Sequence, residues 1–216
     1  MNPDVEPYRN RHDAGRRLAE QLLAYADRSD VVVLALPRGG VPVAYEIAKR
    51  LRAPLDVFVV RKLGVPGRTE LAMGAIASDG TNILNSDILG QIHISRQAID
   101  EVIRKERREL ARREQLYRDH RAPANVRHQT VLLVDDGLAT GASMRVAVQA
   151  LRSQNPARII VAVPVAPLET CAELQKEVDG IVCPVTPASF HAVGEWYEDF
   201  AQTTDEEVRR LLAGPP

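Results

Sequence analysis

The chain has 216 residues, of which 45% are hydrophobic and 26% charged, and this length and composition predict one domain with a sizeable core. Its formal net charge of -1 gives no global attraction to nucleic acid or to an anionic membrane. No apolar run approaches the roughly 18 residues that a membrane span requires, so we expect a cytoplasmic protein without a membrane partner. Cys171 and Cys183 lack the spacing of a metal site or a disulfide framework, and we expect both thiols to fill the core.

Apolar runs and helical spacing alternate along the chain. Strands buried on both faces are predicted where short runs rich in branched side chains do not alternate with polar residues, at residues 31–36, 55–60, 130–134, 158–165 and 180–185. Helical spacing is found over residues 8–23, 41–51 and 141–152. We assign no chemistry to the first of these helices. The order predicts an α/β fold with a mostly parallel sheet flanked by helices.

Residues 95–121 form a charged insertion with helical spacing. Ile99, Ile103, Leu110 and Tyr117 lie on one narrow apolar face, and acidic and basic residues recur at i,i+4 spacing. One interpretation is a solvated helix that covers the domain or packs on a second subunit, and the other is an arginine-rich face that binds RNA. Because glutamates are interleaved throughout, we favour the solvated helix and expect no nucleic-acid partner.

A second departure from the alternation is found at residues 61–80. Glycines and a proline interrupt any regular pattern there. Long irregular stretches often form lids or binding loops, so we expect an irregular loop that takes part in ligand binding.

Two adjacent acids, Asp135 and Asp136, directly follow the apolar run at 130–134, and the small-residue stretch "ATGAS" at 139–143 precedes a predicted helix. In parallel α/β sheets, ligands bind beyond the carboxyl ends of the strands, where a helix amino terminus offers free N–H groups to an anion. The small residues allow the backbone to close around a phosphate, and the two acids can accept hydrogen bonds from sugar hydroxyls. The alternative is an acidic turn followed by an ordinary helix cap.

This string resembles the phosphoribosyl pyrophosphate (PRPP) signature of the type I phosphoribosyltransferases. The resemblance implies a Rossmann-like core at about 28–185, with the helical insertion, and a small carboxyl-terminal hood at about 186–204. It implies that Asp135 and Asp136 contact the ribose hydroxyls. The predicted cradle of the 5′-phosphate consists of Ala139, Thr140, Gly141, Ala142 and Ser143.

A second match to the family is found at "LPRGGVP", where Arg38 follows a predicted strand. The resemblance implies that the guanidinium of Arg38 and the N–H groups of Gly39 and Gly40 bind the departing pyrophosphate. The alternative is a surface arginine beside an ordinary strand-to-helix turn.

The resemblance places the flexible catalytic loop of the family at residues 61–80. Lys62, Arg68 and Glu70 are therefore candidates to close over PRPP or the nucleophile, and we take Lys62 and Glu70 as predicted catalytic residues beside Arg38 and the two acids. Ordinary loop solvation is the alternative for these side chains.

The hood carries a local enrichment of aromatic residues in a chain that is only 4% aromatic. Phe190 is our candidate for stacking on a base, and His191 faces the substrate or is a structural histidine. Mg²⁺ is the implied cofactor, with Asp136 and Asp199 as candidate ligands. A satellite core packed against the sheet is the alternative for the aromatic residues.

The resemblance implies transfer of the 5-phosphoribosyl group of PRPP to a nitrogenous base, with release of pyrophosphate, by a homodimer. Ala139 stands where hypoxanthine and guanine enzymes of the family usually carry a third acid, and an alanine there is more similar to adenine-type relatives. The hood matches no base-specific branch. Two alternatives stay open, namely a non-catalytic regulatory protein that binds PRPP or a nucleotide, and a hydrolase or salvage enzyme that acts on a larger phosphoribosyl compound.

Overall fold

A computed structural model describes residues 6–77, 80–92, 94–119 and 121–214, with the side chains of residues 69, 70, 86, 87 and 91 outside the description. The helices are α1 (Arg11–Glu20), α2 (Gly40–Leu51), α3 (Ser86–Gln91), α4 (Arg96–Arg118), α5 (Ala142–Ser153), α6 (Leu168–Leu174) and α7 (Asp205–Ala213). The strands are β1 (Val31–Ala35), β2 (Leu55–Val57), β3 (Val60–Val65), β4 (Arg68–Ala77), β5 (Asn82–Leu84), β6 (Thr130–Val134), β7 (Arg158–Ala162) and β8 (Gly180–Val182). Of the helices in the described ranges, none is long and apolar enough to cross a membrane.

The five predicted strands form one parallel sheet in the order β2-β1-β6-β7-β8. Side chains from β1 alternate between two hydrophobic clusters. Val33 packs in the cluster that includes Leu18 of α1 and Ile47 of α2, whereas Leu34 packs in the cluster that includes Met144 of α5 and Leu174 of α6. Because helices cover both faces, the strands are apolar on both sides. The predicted α/β class with a mostly parallel sheet is confirmed.

The charged segment is helix α4, and its apolar face packs on the chain itself. Leu110 and Tyr117 are 3% and 2% exposed and belong to the same buried cluster as the strands β1 and β6. Ser95 caps the helix by accepting a hydrogen bond from the N–H of Ala98 at 3.2 Å. The helix therefore covers its own domain, and its apolar face offers no argument for the expected homodimer.

The prediction of an irregular loop at 61–80 is wrong for the described part of that segment. Strands β3, β4 and β5 form a second, antiparallel sheet. Gly67, with a φ of 76°, occupies the turn between β3 and β4, and a Cβ on Gly74 would lie 2.2 Å from the carbonyl oxygen of Ile83. These glycines serve a turn and a close strand approach, whereas the sequence pattern suggested that they interrupt regular structure.

The predicted hood includes the amino-terminal segment. Tyr8 forms a parallel bridge with Tyr197, its N–H donates to the carbonyl oxygen of Trp196 at 2.8 Å, and its carbonyl accepts from the N–H of Glu198 at 2.8 Å. Tyr8, Trp196 and Tyr197 are buried together with Val165, which follows β7. Residues from both ends of the chain thus pack above the carboxyl ends of the strands.

Candidate functional site

The candidate site lies where the direction of the sheet changes. From β1 the chain passes through α2 to its neighbour β2, and from β6 it passes through α5 to its neighbour β7 on the other side. The helices α2 and α5 cover opposite faces of the sheet. The loops after the adjacent strands β1 and β6 therefore diverge and leave a crevice, which is where open α/β sheets bind their ligands.

The turn after β1 touches the acids that follow β6. A Cβ on Gly39 would lie 2.0 Å from Oδ2 of Asp136, and a Cβ on Gly40 would lie 2.7 Å from the carbonyl oxygen of Val134 and 3.2 Å from Oδ1 of Asp135. Only glycine permits this approach. The peptide bond between residues 37 and 38 is cis. The structure therefore brings together the two loops that the sequence predicted as separate parts of one site.

The two acids have different environments although they are neighbours in the chain. Asp135 accepts a hydrogen bond from the N–H of Asp136 at 2.9 Å. Desolvation by burial, followed by the charge of Asp136, raises the pKa of Asp135 well above its ordinary value. The pair therefore carries less negative charge than two independent carboxylates.

The loop 139–143 is an open helix amino terminus. Gly141 precedes α5 with a φ of 70°, Thr140, Ala142 and Ser143 are exposed, and the N–H of Ala142 donates to Oγ1 of Thr140 at 3.4 Å. From the other side, the hydroxyl of Thr170 in α6 donates to the carbonyl oxygen of Ala139 at 2.8 Å. This arrangement leaves the first turn of α5 accessible to an anion.

Arg38 extends toward the start of α7. Its Nη1 lies 3.7 Å from Oδ1 of Asp205, beyond hydrogen-bond distance, and the hydroxyl of Tyr117 donates to the same oxygen at 2.7 Å. Burial, together with this hydrogen bond, raises the pKa of Tyr117 to about 12. The loose ion pair leaves the guanidinium able to bind another anion.

The predicted catalytic-loop residues lie on the antiparallel sheet. Lys62 is exposed on β3, and Arg68 is exposed at the start of β4. Glu70 also belongs to β4, but its side chain lies outside the described residues. These positions are therefore on a different sheet from the strands that carry the acids.

The predicted hood residues differ in exposure. Phe190 is partly buried against the cluster that contains Trp196, and His191 is exposed. Asp199 is exposed; its Oδ1 accepts from the N–H of Ala201 at 2.9 Å, and the residue lines a cavity of about 180 Å³. Base stacking and metal binding by these residues stay predictions.

Sequence reasoning missed Arg11, in the helix to which we assigned no chemistry. Its side chain is only 11% exposed, its Nε donates to Oδ2 of Asp136 at 2.7 Å, and its Nη1 donates to the carbonyl oxygen of Ala201 at 2.7 Å. The hydroxyl of Tyr197 also donates to the carbonyl oxygen of Asp136, at 2.5 Å. No sequence signal indicates the contact of Arg11 with Asp136, because 125 positions separate the two residues.

The carboxylates fit Mg²⁺ only as a partial ligand set. Within the described ranges, no three His, Cys, Asp or Glu side chains are grouped so as to hold a metal. Mg²⁺ is commonly bound by one or two carboxylates together with substrate phosphates and water. Asp136, one of the two predicted ligands, therefore suits a metal that arrives with a phosphorylated ligand.

The fold and this crevice define a doubly wound α/β protein whose loops suit a phosphorylated sugar. The family model for the phosphoribosyl transferase domain matches residues 4–199. The chain belongs to the phosphoribosyl transferase domain family, which confirms the resemblance to the type I enzymes.

Relatives with similar sequences carry the same family description, and solved structures share the fold. Two proteins of Mycobacterium tuberculosis, from strains CDC 1551 and H37Rv, are provisionally named phosphoribosyl transferases and are 47% identical over 203 residues, or 94% of this chain. The chain spans about half of the length of these relatives, 46%. The crystal structure of TT1426 from Thermus thermophilus is 40% identical, with a TM-score of 0.83 over 95% of this chain and 97% of that chain. AQ2163 of Aquifex aeolicus, at 11% identity and a TM-score of 0.52 over 94% of this chain and 86% of that one, shares the fold.

Proposed function

We propose that the chain transfers the 5-phosphoribosyl group of PRPP to a nitrogen nucleophile and releases pyrophosphate. The observation that carries this proposal is the contact between the turn at Gly39 and Gly40 and the acids Asp135 and Asp136. In this arrangement a diphosphate at the turn and a ribose at the acids are adjacent, as they are within one molecule of PRPP.

Each loop then has a role. The hydroxyls and the open helix start at 139–143 bind the 5′-phosphate, and Asp135 and Asp136 accept hydrogen bonds from the ribose hydroxyls. Arg38 with the N–H of Gly39 binds the pyrophosphate. The N–H of Gly40, which the sequence also assigned to the pyrophosphate, instead donates to the carbonyl oxygen of Leu36 at 3.1 Å. Asp136 and Asp199 are the candidate residues that would hold Mg²⁺, which would supply positive charge to stabilise the leaving group. The small nitrogenous base that we propose as acceptor lies under the hood, with Phe190 and His191 as its candidate contacts.

The reaction is a displacement at C1 of the ribose. The bond between C1 and the pyrophosphate oxygen breaks, its electrons leave with the pyrophosphate, and a nitrogen lone pair forms the new bond on the opposite face. Positive charge develops on the sugar in the transition state, and the carboxylate of Asp136 stabilises it. Lys62 and Glu70 stay our candidates for the segment that closes over the reactants, excludes water and takes up the nucleophile's proton.

A regulatory protein that binds PRPP or a nucleotide without turnover is the second candidate. Two observations favour it. Oδ2 of Asp136 is already paired with Arg11, and the hood aromatics Tyr197 and Phe200 pack on each other with ring centroids 4.9 Å apart. An enzyme releases pyrophosphate from PRPP when an acceptor is present, whereas a regulatory protein binds PRPP without releasing pyrophosphate.

The experiment that tests the proposal is pyrophosphate release from PRPP and Mg²⁺ with adenine, guanine, hypoxanthine, xanthine, uracil, orotate or nicotinate as acceptor. Release with one acceptor establishes the transferase and names its base. Tight PRPP binding by calorimetry without release for any acceptor favours the regulatory protein. If PRPP neither binds nor reacts, both candidates are wrong.

A double variant tests the ribose site directly. Asp135→Asn with Asp136→Asn keeps an oxygen that can accept from the N–H of residue 136, so the fold is expected to persist by circular dichroism. PRPP affinity is expected to fall at least about tenfold, because the ribose loses its hydrogen bond to the carboxylate of Asp136. PRPP affinity equal to that of the wild type would contradict the proposed role of the acids.

A further inference from the structure

Arg11 and the pyrophosphate turn both approach the same oxygen of Asp136. Oδ2 of Asp136 receives the hydrogen bond from Nε of Arg11 at 2.7 Å, and the same oxygen lies 2.0 Å from the position that a Cβ on Gly39 would occupy. The guanidinium and the turn thus contact one carboxylate oxygen. An arginine at this junction is close to the diphosphate of a ligand that fills both loops.

The position of the guanidinium is fixed before any ligand binds. Nη1 donates to the carbonyl oxygen of Ala201 at 2.7 Å, and the guanidinium carbon lies 3.8 Å from the ring centroid of Phe200, within the range of a cation–π contact. Within the part of the chain that the structure describes, Nη2 of Arg11 has no hydrogen-bond acceptor. A cation held in this way has little conformational entropy to lose when it meets an anion.

Charge explains why such a cation is needed. PRPP is a polyanion, and Asp136 is negatively charged when its oxygens accept the ribose hydroxyls. A carboxylate beside a diphosphate repels it, and this repulsion is strong where the surroundings exclude water. A guanidinium 2.7 Å from the carboxylate offsets the repulsion at its source.

We propose that Arg11 is a PRPP-binding residue, whose positive charge compensates Asp136 and offers Nη2 to the diphosphate. The inference rests on the proposed function, because it takes PRPP as the ligand. It also makes the amino-terminal helix and the hood segment at 200–201 part of the PRPP site.

Three variants separate charge from structure. Arg11→Gln removes the charge and keeps a hydrogen-bond donor, whereas Arg11→Lys keeps the charge. Arg17→Gln is the matched control on the same helix, since Arg17 also pairs with a carboxylate, that of Asp13 at 2.9 Å, and also lies over an aromatic ring, that of Tyr8 at 5.2 Å. It has no contact with the acidic pair among the described residues.

The measurement is calorimetry with PRPP and Mg²⁺, and with ribose 5-phosphate, for the wild type and each variant. We expect Arg11→Gln to lower the affinity for PRPP by about ten- to hundredfold and the affinity for ribose 5-phosphate by less than about threefold. Arg11→Lys keeps the charge but loses the planar guanidinium, so it is expected to lose less PRPP affinity than Arg11→Gln, within about tenfold of the wild type. Arg17→Gln is expected to bind both ligands as the wild type does.

The outcomes distinguish this inference from the proposed function. If the wild type does not bind PRPP, the proposed function is wrong. If the wild type binds PRPP and Arg11→Gln binds it equally well, only the proposed role of Arg11 is wrong. Trp196, the one tryptophan in the chain, lies in the hood, and its fluorescence reports whether each variant keeps the hood folded. If Arg11→Gln does not fold, the lysine variant decides, since a loss of PRPP affinity beyond about tenfold in folded Arg11→Lys protein overturns the charge argument.

Discussion

At the scale of single residues, neighbours in the sequence can have opposite environments. Asp135 is held by the N–H of Asp136, and its raised pKa favours the protonated form. Asp136 instead pairs with Arg11, and burial together with the charge of Asp136 raises the pKa of Tyr197, whose hydroxyl donates to the Asp136 carbonyl. The two acids therefore contribute different chemistry to one ribose site, although the sequence presents them as an identical pair.

The residue that we expect to discriminate between the ends of PRPP is Arg38. We predict that Arg38→Ala lowers the affinity for pyrophosphate by about ten- to hundredfold, because a charge-assisted hydrogen bond to a phosphate is lost. Ribose 5-phosphate is expected to bind as it does to the wild type, since its phosphate belongs to the loop 139–143. Calorimetry with each ligand measures both effects. An equal loss for both ligands would mean that Arg38 does not belong to a pyrophosphate site.

At the scale of elements, the crevice depends on how closely the turn before α2 approaches the end of β6. Strands β1 and β6 pair in parallel from Val31 and Thr130 to Ala35 and Val134. Their following loops must therefore meet within a few residues of the last pair. The glycines of the turn permit that meeting, and because α2 and α5 cover opposite faces of the sheet, the loops diverge and leave space for a ligand.

This approach predicts that Gly39→Ala disrupts the site. The new methyl group would overlap Oδ2 of Asp136, at 2.0 Å, so the carboxylate or the turn must move, and PRPP affinity is expected to fall by at least about tenfold. Gly90→Ala is the matched control, because a Cβ there meets nothing within 4 Å. Since alanine stabilises a helix by up to about 1 kcal/mol relative to glycine, this variant is expected to remain folded. Calorimetry and thermal unfolding of both variants check this. PRPP binding by Gly39→Ala at wild-type affinity would rule out the tight contact.

At the scale of the whole molecule, the amino-terminal segment connects the hood to the sheet. Tyr8 bonds to the hood backbone and, through its hydroxyl, to the carbonyl oxygen of Pro164 after β7 at 3.0 Å. Asp13 accepts from the backbone and the guanidinium of Arg9 and pairs with Arg17. Acid stability of the molecule should therefore depend on this segment.

Asp13 provides the test of acid stability. Burial raises its pKa, but the hydrogen bonds from Arg9 and the charge of Arg17 outweigh burial and lower the pKa below the ordinary 3.8. A lowered folded-state pKa gives stability that is present above the unfolded-state value and is lost as the pH falls through the folded-state value. We predict that Asp13→Asn lowers the free energy of unfolding by about 1 to 2 kcal/mol at pH 7.

Urea unfolding of the wild type and Asp13→Asn at several pH values measures this difference. The gap between the two free energies of unfolding is expected to narrow below about pH 4, where the unfolded-state carboxylate takes up a proton. It closes as the pH falls through the lower folded-state pKa of Asp13. Arg16→Gln serves as a control, since Arg16 also lies near Asp13 but at 3.6 Å and half exposed, and it should change stability by less than about 0.5 kcal/mol. A gap between wild type and Asp13→Asn that does not change with pH would contradict the assigned charge interaction.

Local patterns were sufficient for the parallel sheet, and they also point to the two loops that we propose bind phosphate. A buried strand requires a continuous apolar run, and an anion-binding loop requires small residues directly before a helix. Each of these patterns is contained within about ten consecutive residues, so it can be recognised locally. The same local view failed at residues 61–80, where glycines in a turn and in a close strand approach look identical in sequence to glycines that interrupt structure.

The sequence by itself determined the α/β class, the five strands of the parallel sheet, and the candidate residues Arg38, Asp135 and Asp136. Only the tertiary structure decided that the turn touches the acids, that the amino-terminal segment is part of the hood and that Arg11 pairs with Asp136. The physical reason is separation along the chain. Arg11 and Asp136 are 125 positions apart, and they meet because whole helices and strands pack together. The residues next to each of them in the sequence do not indicate that packing.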